Sequence, residues 1–308
     1  MPSDDYAIET AGLTKVFFTR WKRREVRAVD QISLQIPRGT TYGFLGPNGA
    51  GKTTFVKMLL SAVHPTAGSA RIFGKPAEEA EARRPIGYLP ENHRFPTYFT
   101  GAGMLDFYAS LSDLAPVHRK LLIPELLERV GLEKWGAVRI GKYSKGMLQR
   151  LGLAQALIHS PKLLILDEPS DGVDPVGRKH IREILGALEE KGVTIFINSH
   201  LLVEVEMFCK EVAILDQGKV ALAGRVRDLT GGKGYRLVAR QVPELLHSEL
   251  ERHAVSAKVE EGLSTFQFAT LEDINTAIDL LRGEKCAIEL VTPTTSTLEE
   301  VFFKTVEK

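Results

Sequence analysis

The sequence has few cysteines, no long apolar run and almost no net charge. Its 308 residues include only two cysteines, Cys209 and Cys286, and their segments lack metal-type spacing. This scarcity argues against a disulfide framework and favours a reducing compartment. The formal net charge is +1, whereas a general nucleic-acid binder is normally much more basic. We therefore expect no nucleic-acid partner.

Features of a membrane-spanning or secreted chain are also missing. No stretch approaches the roughly 20 apolar residues of a spanning helix, and the acidic start MPSDDYAIET lacks the apolar run of a signal peptide. The sequence therefore predicts a protein that is soluble by itself, with any membrane role mediated by a partner. Hydrophobic content of 44% and charged content of 26% are typical of an ordinary core.

The order of apolar segments predicts an α/β fold. The runs at 162–167, 193–198 and 211–216 are short and nearly continuous, as in buried parallel strands joined by crossover helices. An alternating segment before residue 41 predicts antiparallel strands that lead into a buried strand at 41–45. Between about residues 92 and 141 the pattern becomes helical. We interpret this region as a helical insertion in the α/β domain.

The C-terminal part has a different pattern. After a glycine-rich joint at 231–234, it reads as strand, helix, strand, strand, helix, strand and a last helix. This order is typical of a ferredoxin-like split βαβ module. We predict a domain over 1–230 and a small α+β accessory domain over 231–308, in which we find no catalytic constellation.

The segment GPNGAGKTT, residues 46–54, matches the P-loop pattern G-x-x-x-x-G-K-[ST] between a predicted strand and a predicted helix. Its glycines allow a curved backbone whose N–H groups surround phosphates. Lys52 is expected to reach the outer phosphates, and the Thr53 hydroxyl to bind Mg²⁺. The complete pattern in this context disfavours a simple glycine-rich turn. The predicted nucleotide-binding residues of this loop are Gly46, Asn48, Gly49, Gly51, Lys52, Thr53 and Thr54.

A P-loop alone does not distinguish kinases, GTPases and ATPases, but the segment LLILDEPSDGVD narrows the choice. Asp167, at the end of a buried strand, can hold Mg²⁺ through water. Glu168 follows it and can act as a general base on the attacking water. The alternative is a surface Asp-Glu turn, which is not expected directly after a run of apolar strand residues.

The segment YSKGMLQRLGLAQAL, residues 143–157, predicts the start of a helix with an open anion site. Ser144 is a good N-cap, and Gly146 allows another molecule to approach the backbone. The free N–H groups and the positive end of the helix dipole favour an anion.

In this order along the chain, GPNGAGKTT, YSKGMLQR, LLILDEPS, DGVD and NSH resemble the nucleotide-binding domain of ABC-transporter ATPases over residues 6–225. The resemblance implies that Ser144 and Gly146 belong to the signature motif, which binds the ATP held by a second copy of the domain. It implies that His200 contacts the γ-phosphate and that Asp174 communicates across the dimer. It also places Phe17 against adenine, with Phe18 as a close rival.

The sequence departs from the family pattern in the signature motif and at Glu91. Lys145 replaces a glycine of the signature motif, and its charge either helps phosphate binding or faces solvent. Met147 replaces a glutamine and so removes its side-chain hydrogen bond. Glu91 stands where most of the family has a glutamine that touches Mg²⁺ and the attacking water. A carboxylate can bind Mg²⁺ at least as well, although a solvated glutamate after Pro90 is the alternative.

The resemblance implies an ATPase subunit of an ABC transporter, with ATP and Mg²⁺ as cofactors. Its partners would be a second copy of the chain and an integral-membrane permease, and its location the cytoplasmic face of the membrane. Exporters of drugs and polymers carry similar C-terminal appendages, so an exporter is expected. The alternatives are a soluble, non-transport ATPase of this family and an importer subunit.

Two further segments leave alternatives open. The basic loop at 18–28, around Trp21, either contacts a permease or anionic lipid or forms a solvated hairpin tip. An aromatic group after Glu91 belongs either to the core or to a groove for the permease. Its members are Phe95, Tyr98, Phe99, Phe107 and Tyr108.

Overall fold

The computed structural model describes residues 5–19, 24–260 and 262–306, and the chain divides into two compact units. The first unit comprises Met1–Val226 together with Phe302–Lys308, and the second comprises Arg227–Val301. The break after Val226 lies a few residues before the boundary predicted at residue 230.

The first unit contains an antiparallel sheet, a mainly parallel sheet and the helices that cover them. Its strands are β1 (Tyr6–Thr19), β2 (Arg24–Pro37), β3 (Thr41–Leu45), β4 (Ala67–Ile72), β5 (Lys75–Pro76), β6 (Ile86–Leu89), β7 (Leu163–Asp167), β8 (Thr194–Asn198), β9 (Glu211–Asp216) and β10 (Lys219–Arg225). Its helices are α1 (Lys52–Leu59), α2 (Ala80–Arg83), α3 (Gly101–Leu111), α4 (Pro116–Arg129), α5 (Lys145–Ala156), α6 (Pro175–Glu190) and α7 (Leu202–Phe208). Short 3-10 turns occur at Glu133–Trp135 and Ile140–Lys142.

The larger sheet has the strand order β10-β9-β3-β8-β7-β6, in which every pair is parallel except β10 with β9. Strands β3, β7 and β8 are buried along their whole length, as expected for parallel strands covered on both faces. This confirms the predicted α/β fold. Because these strands are parallel, their carboxyl ends lie at one edge of the sheet, and Asp167 pairs with Asn198 there.

The second sheet of this unit has the order β2-β1-β4-β5 and is antiparallel, as predicted for the N-terminal segment. Residues 20–23 between β1 and β2 lie outside the described residues. Trp21 and the middle of the predicted basic loop at 18–28 are among them. A shared apolar cluster extends from this sheet to the larger one. Within it, the Phe44 ring lies 4.7 Å from that of Phe55 and 5.2 Å from that of Phe196. These contacts hold α1 against the sheet where β3 ends.

Helices α3 and α4 form the insertion predicted between residues 92 and 141. Thr100 caps α3 by accepting a hydrogen bond from the Gly103 amide at 3.0 Å, and α4 begins at Pro116, where proline is favoured. Throughout the described residues, no helix has the length and apolarity needed to span a bilayer.

The second unit is a four-stranded antiparallel sheet with two helices. Its elements are β11 (Gly231–Arg240), α9 (Glu244–His253), β12 (Ser256–Glu260), β13 (Leu263–Phe268), α10 (Leu271–Gly283) and β14 (Ala287–Thr295), in the strand order β12-β13-β11-β14. Its core contains Leu237, Leu250, Phe266, Phe268 and Leu281. This is the predicted strand–helix–strand–strand–helix–strand order of a ferredoxin-like module. Two further helices, α8 (Val226–Thr230) and α11 (Leu298–Val306), contain the points where the chain passes between units.

The prediction that 231–234 is a joint outside the strands was wrong. Gly231 already pairs with Thr295, and β11 begins there. The glycines serve close packing: a Cβ added to Gly234, where φ is +145°, would lie 2.4 Å from the carbonyl oxygen of Phe268. The strand therefore needs glycine at this point, which a sequence pattern cannot distinguish from a flexible linker.

Candidate functional site

The loop between β3 and α1 forms a concave backbone. Gly49 and Gly51 have φ angles of +84° and +106°, which side chains disfavour. A Cβ on Gly51 would lie 2.0 Å from the Ala28 carbonyl oxygen, whereas a Cβ on Gly49 would meet no atom within 4 Å. The loop thus requires glycine at Gly51, and its surface at Gly49, beside the exposed Asn48, is open.

The first turn of α1 adds amide donors to this loop. The N–H groups of Lys52, Thr53 and Thr54 have no acceptor within the helix, because the first helical hydrogen bond runs from the Phe55 amide to the Gly51 carbonyl, at 2.9 Å. The positive end of the helix dipole points the same way. The loop from Gly46 onward and this helix start therefore form an anion-binding cradle.

The Lys52 side chain folds back into the loop. It is 7% exposed, and its Nζ donates to the carbonyl oxygens of Gly46 at 2.7 Å and Pro47 at 3.3 Å. Burial lowers the pKa of Lys52, while the nearby carboxylates of Glu168, Asp167 and Glu91 raise it. The ammonium group is thus held at the cradle by weak neutral acceptors that a phosphate can replace.

Asp167 lies at the carboxyl end of β7 and is 2% exposed. The Asn198 side-chain amide donates to its Oδ1. Burial raises the pKa of Asp167 to about 6, with smaller contributions from the charges of Glu91 and Glu168 and an opposing one from the Asn198 hydrogen bond. The Oδ1 atom of Asn198 is buried without a hydrogen-bond partner among the described residues. This edge of the sheet is therefore crowded with oxygen atoms and acidic charge.

Glu168 is the most constrained residue of the site. Its φ is +52°, an unusual value for a residue other than glycine, asparagine or aspartate. Its amide donates to the Asn198 carbonyl at 2.8 Å, and its own carbonyl accepts from Gln149 Nε2 at 3.0 Å. One carboxylate oxygen accepts from Ser199 Oγ at 3.2 Å, and the other lies 2.8 Å from His200 Nδ1. Backbone and carboxylate are thus both fixed.

The sequence reasoning assigned roles to Glu168 and His200 but missed Gln149 and Ser199, which contact Glu168 as well. Gln149 is a buried polar residue on a largely apolar helix, a pattern that signals a specific partner. Ser199 stands inside the NSH segment already singled out. The structure therefore joins two predicted residues directly and adds two that orient them.

Glu91 follows β6 and is exposed. Burial raises the pKa of Tyr88 to about 12, and the charges of Asp167 and Glu91 add to that effect. The Glu91 charge also reaches Asp167 and Lys52. Glu91 is thus a solvated side chain whose charge acts on Asp167 and Lys52.

The predicted signature residues lie at the start of α5. Ser144 is exposed and caps the helix by accepting from the Met147 amide at 3.2 Å. Lys145 is exposed and pairs with Asp171, with 2.7 Å between Nζ and Oδ2. The Met147 side chain is buried, at 9% exposure. The open end of this helix therefore presents Ser144, Lys145 and Gly146, whereas the apolar Met147 side chain points into the core.

Asp174 and Phe17 occupy surface positions. Asp174 is exposed and caps α6 by accepting from the Gly177 amide at 2.8 Å. Phe17 is 42% exposed, with Lys15 Nζ 5.2 Å from its ring centroid, and Phe18 is 73% exposed. Because successive strand residues point to opposite faces, only one of these rings can face a given nucleotide.

The raised pKa of Asp167 predicts a pH-dependent effect of Asp167→Asn on folding in metal-free buffer. The pKa of Asp167 is raised from an ordinary value of 3.8 to about 6 in the folded protein. Burial therefore costs stability as the pH rises through this window. The variant should therefore match the wild type near about pH 3.5 and exceed its free energy of unfolding by about 2–3 kcal/mol above about pH 7. Urea titrations at both pH values measure this.

Asp113→Asn is the control, because Asp113 is exposed and its replacement should change little at either pH. A stability difference for Asp167→Asn that stays constant across the window would contradict the inferred ionisation.

Comparison with known proteins identifies the family. Residues 29–171 match the model of the ABC transporter family. The YxlF ABC transporter ATP-binding protein of Bacillus subtilis is 37% identical over 92% of this chain and 96% of its own length. The Nod factor export ATP-binding protein I of Burkholderia thailandensis is 38% identical over 65% of this chain and 67% of its own.

A solved structure agrees in fold. The dimeric, post-hydrolysis ATP-binding cassette MJ0796 bound to ADP and Pi superposes with a TM-score of 0.66 and 21% identity, over 71% of this chain and 99% of that one. With the P-loop cradle and the ordered Glu168, these similarities lead to one conclusion: the chain is an ATP-binding, ATP-hydrolysing subunit and belongs to the ABC transporter family.

Proposed function

We propose that this subunit hydrolyses ATP with Mg²⁺ as a homodimer and drives a separate integral-membrane permease, as part of an exporter. The observation that carries the proposal is the arrangement of Glu168. Its carboxylate is held by Ser199 and His200 directly after Asp167 and beside the phosphate cradle. That is the position of a base for a water attacking the terminal phosphate.

The donor set fits Mg²⁺. Asp167, Glu91 and the Thr53 hydroxyl offer only oxygen atoms, which hard divalent cations prefer. A cation would be stabilising here for two reasons. The charges of Glu91 and Glu168 add to the effect of burial in raising the Asp167 pKa, and the buried Asn198 Oδ1 has no hydrogen-bond partner among the described residues. When bound, Mg²⁺ would neutralise phosphate charge.

The chain's own residues divide the remaining tasks. The cradle amides and Lys52 bind and orient the phosphates, so the reacting group is positioned before chemistry. Glu168 accepts the proton of the attacking water, and its fixed backbone keeps the carboxylate in place. His200, at 2.8 Å from Glu168, is oriented by the same group and is proposed to contact the γ-phosphate. Phe17 is proposed to stack on adenine.

The second half of each site is proposed to come from a second copy of the chain. Ser144, Gly146 and Asp174 lie at exposed or half-exposed helix starts, where their polar groups are accessible to another molecule. The helix start at Ser144 suits an anion, and the ATP of the partner subunit is the proposed anion. Closure of the dimer on ATP would supply the mechanical step, and hydrolysis would reset it.

The aromatic group after Glu91 supports a permease contact. Its rings touch one another, with centroids 4.9 Å apart for Tyr98 and Phe99 and 6.1 Å apart for Phe99 and Phe107. Yet Tyr98 is 71% and Phe107 45% exposed, so the group is not closed core. Partly exposed aromatic clusters suit a helix-in-groove contact.

An exporter role is supported by similarity to the Nod factor export protein. We propose a cytoplasmic, peripheral location on the inner face of the membrane through the permease. Residues 1–230 would be the ATP-binding domain and 231–308 an accessory domain.

Glu168→Gln tests this function. The amide keeps the side-chain shape but cannot accept the water proton, so kcat should fall about 100- to 10,000-fold while ATP is retained. An ATP-bound dimer should accumulate, which sedimentation velocity with Mg²⁺ and ATP detects. Glu190→Gln, at an exposed position on α6, serves as the control. Normal turnover by Glu168→Gln would disprove the assignment of the base.

A further inference from the structure

The lysine that departs from the family signature has a specific partner in this chain. Lys145 Nζ lies 2.7 Å from Asp171 Oδ2, and its aliphatic stem crosses Gly172. A Cβ on Gly172 would lie 2.3 to 2.7 Å from the Cδ, Cε and Nζ atoms of Lys145. The lysine therefore lies along the loop that follows Glu168, and the glycine makes room for it.

Lys145 is a cation at a helix start, and it therefore needs an anion nearby. It is the first residue of α5, where the helix dipole disfavours a cation and favours an anion. Asp171 supplies that anion in the free subunit. Lys145 holds the pKa of the Asp171 carboxyl below its ordinary value, chiefly through their hydrogen bond. Both side chains are well exposed, at 64% and 49%, and an exposed ion pair of this kind is weak.

A phosphate placed at this helix start would compete with Asp171. It would carry more negative charge than a carboxylate and would also accept hydrogen bonds from the free backbone N–H groups of the helix. Asp171 lies three residues after Glu168 and three before Asp174. Release of Lys145 would therefore free the loop that connects the proposed base to the proposed inter-subunit aspartate.

We propose that Lys145 is an exchangeable phosphate contact. It pairs with Asp171 in the free subunit and transfers to the terminal phosphate of the ATP held by the second copy when the dimer closes. Asp171 competes with that phosphate for Lys145 and so sets the ATP concentration at which the dimer closes. This inference rests on the shared-site dimer of the proposed function.

Three substitutions test the exchange in a Glu168→Gln background, where closure is not reversed by hydrolysis. Lys145→Met should raise the ATP concentration for half-maximal dimerisation about 3- to 10-fold, and Asp171→Asn should lower it by a similar factor. The double variant should behave like Lys145→Met, because Asp171 acts only through the lysine. Sedimentation velocity across an ATP series measures the midpoint.

Controls separate the possible failures. Lys142→Met removes a nearby exposed lysine and should leave the midpoint unchanged, whereas Lys145→Arg should largely preserve it. Binding of a fluorescent ATP analogue to monomers should be equal in all variants, because the P-loop is intact. Monomers that bind nucleotide but never dimerise would overturn the proposed function itself.

Two results would overturn the proposed exchange of Lys145 but leave the proposed dimer in place. One is an unchanged midpoint for Lys145→Met. The other is a double variant that dimerises more readily than Lys145→Met, which would show Asp171 repelling phosphate directly.

Discussion

Replacing Lys52 with alanine is expected to reduce ATP hydrolysis by at least about 100-fold, the loss typical of removing one fixed donor to developing charge. Among the described residues, the Nζ atom donates only to the Gly46 and Pro47 carbonyls, so its loss should not free a partner on another element. Nucleotide binding should fall with hydrolysis, because Lys52 is the only basic residue in the segment 46–54. Isothermal titration with ATP and a steady-state ATPase assay measure the two losses.

The fold should survive this change. Burial lowers the pKa of Lys52, which means that the buried charge costs folding stability and that its removal relieves a cost. The matched control is Lys57→Ala, on the exposed side of the same helix, which should retain activity. A Lys52→Ala protein that binds and hydrolyses ATP normally would remove the phosphate role from this loop.

The parts of the site that could be predicted from the sequence are those determined by residues close together in the chain. The P-loop residues are contiguous, and their spacing is dictated by a phosphate held against one helix start. Asp167 and Glu168 follow an apolar run, and a buried parallel strand must end at the edge where ligands bind. The α/β order followed from strand length and continuity in the same way.

The parts that were missed depend on contacts between distant segments. Gln149 reaches the Glu168 carbonyl from α5, and no local pattern specifies which buried glutamine meets which loop. The left-handed φ of Glu168 is likewise set by neighbours, namely the Asn198 carbonyl on its amide and Gln149 on its carbonyl. The Lys145–Asp171 pair joins segments 26 residues apart, so sequence reasoning left the role of Lys145 open.

The glycines at 231–234 were misinterpreted as a joint, although the sequence pattern itself was noticed. Glycine-rich stretches are typical of linkers, but glycine also permits two backbones to approach closely. Only the register of β11 against β13 and β14 shows that the second reason applies here. Composition alone therefore led to the first residues of a strand being interpreted as a joint.

Mixing two inactive variants is expected to restore nucleotide-dependent dimerisation. Lys52→Ala damages the P-loop half of a site, and Gly146→Asp places a carboxylate at the helix start that is proposed to bind the partner's phosphate. A Cβ at Gly146 would lie 3.7 Å from the nearest atom, Val173 Cα, which is ordinary contact. The aspartate should therefore fold normally and act through its charge.

The two lesions combine differently in each dimer. Either homodimer has two broken sites, because each site uses the P-loop of one subunit and the Gly146 helix of the other. A mixed dimer has one site with both lesions and one with neither. Because only the mixed dimer has an intact site, ATP should draw both variants of an equimolar mixture into mixed dimers by mass action. Differently tagged copies allow the mixed dimers to be isolated and followed.

The control for the second lesion is Gly186→Asp, on the face of α6 where an added Cβ meets no atom within 4 Å. It should dimerise like the wild type when alone, which shows that a new surface aspartate is not itself inhibitory. Closure is a better measure than hydrolysis, because it can proceed on one intact site even if turnover requires two. If the helix at Ser144 served ATP within its own chain, every site in the mixture would carry a lesion. Isolated mixed dimers that fail to close with ATP would therefore rule out the shared site.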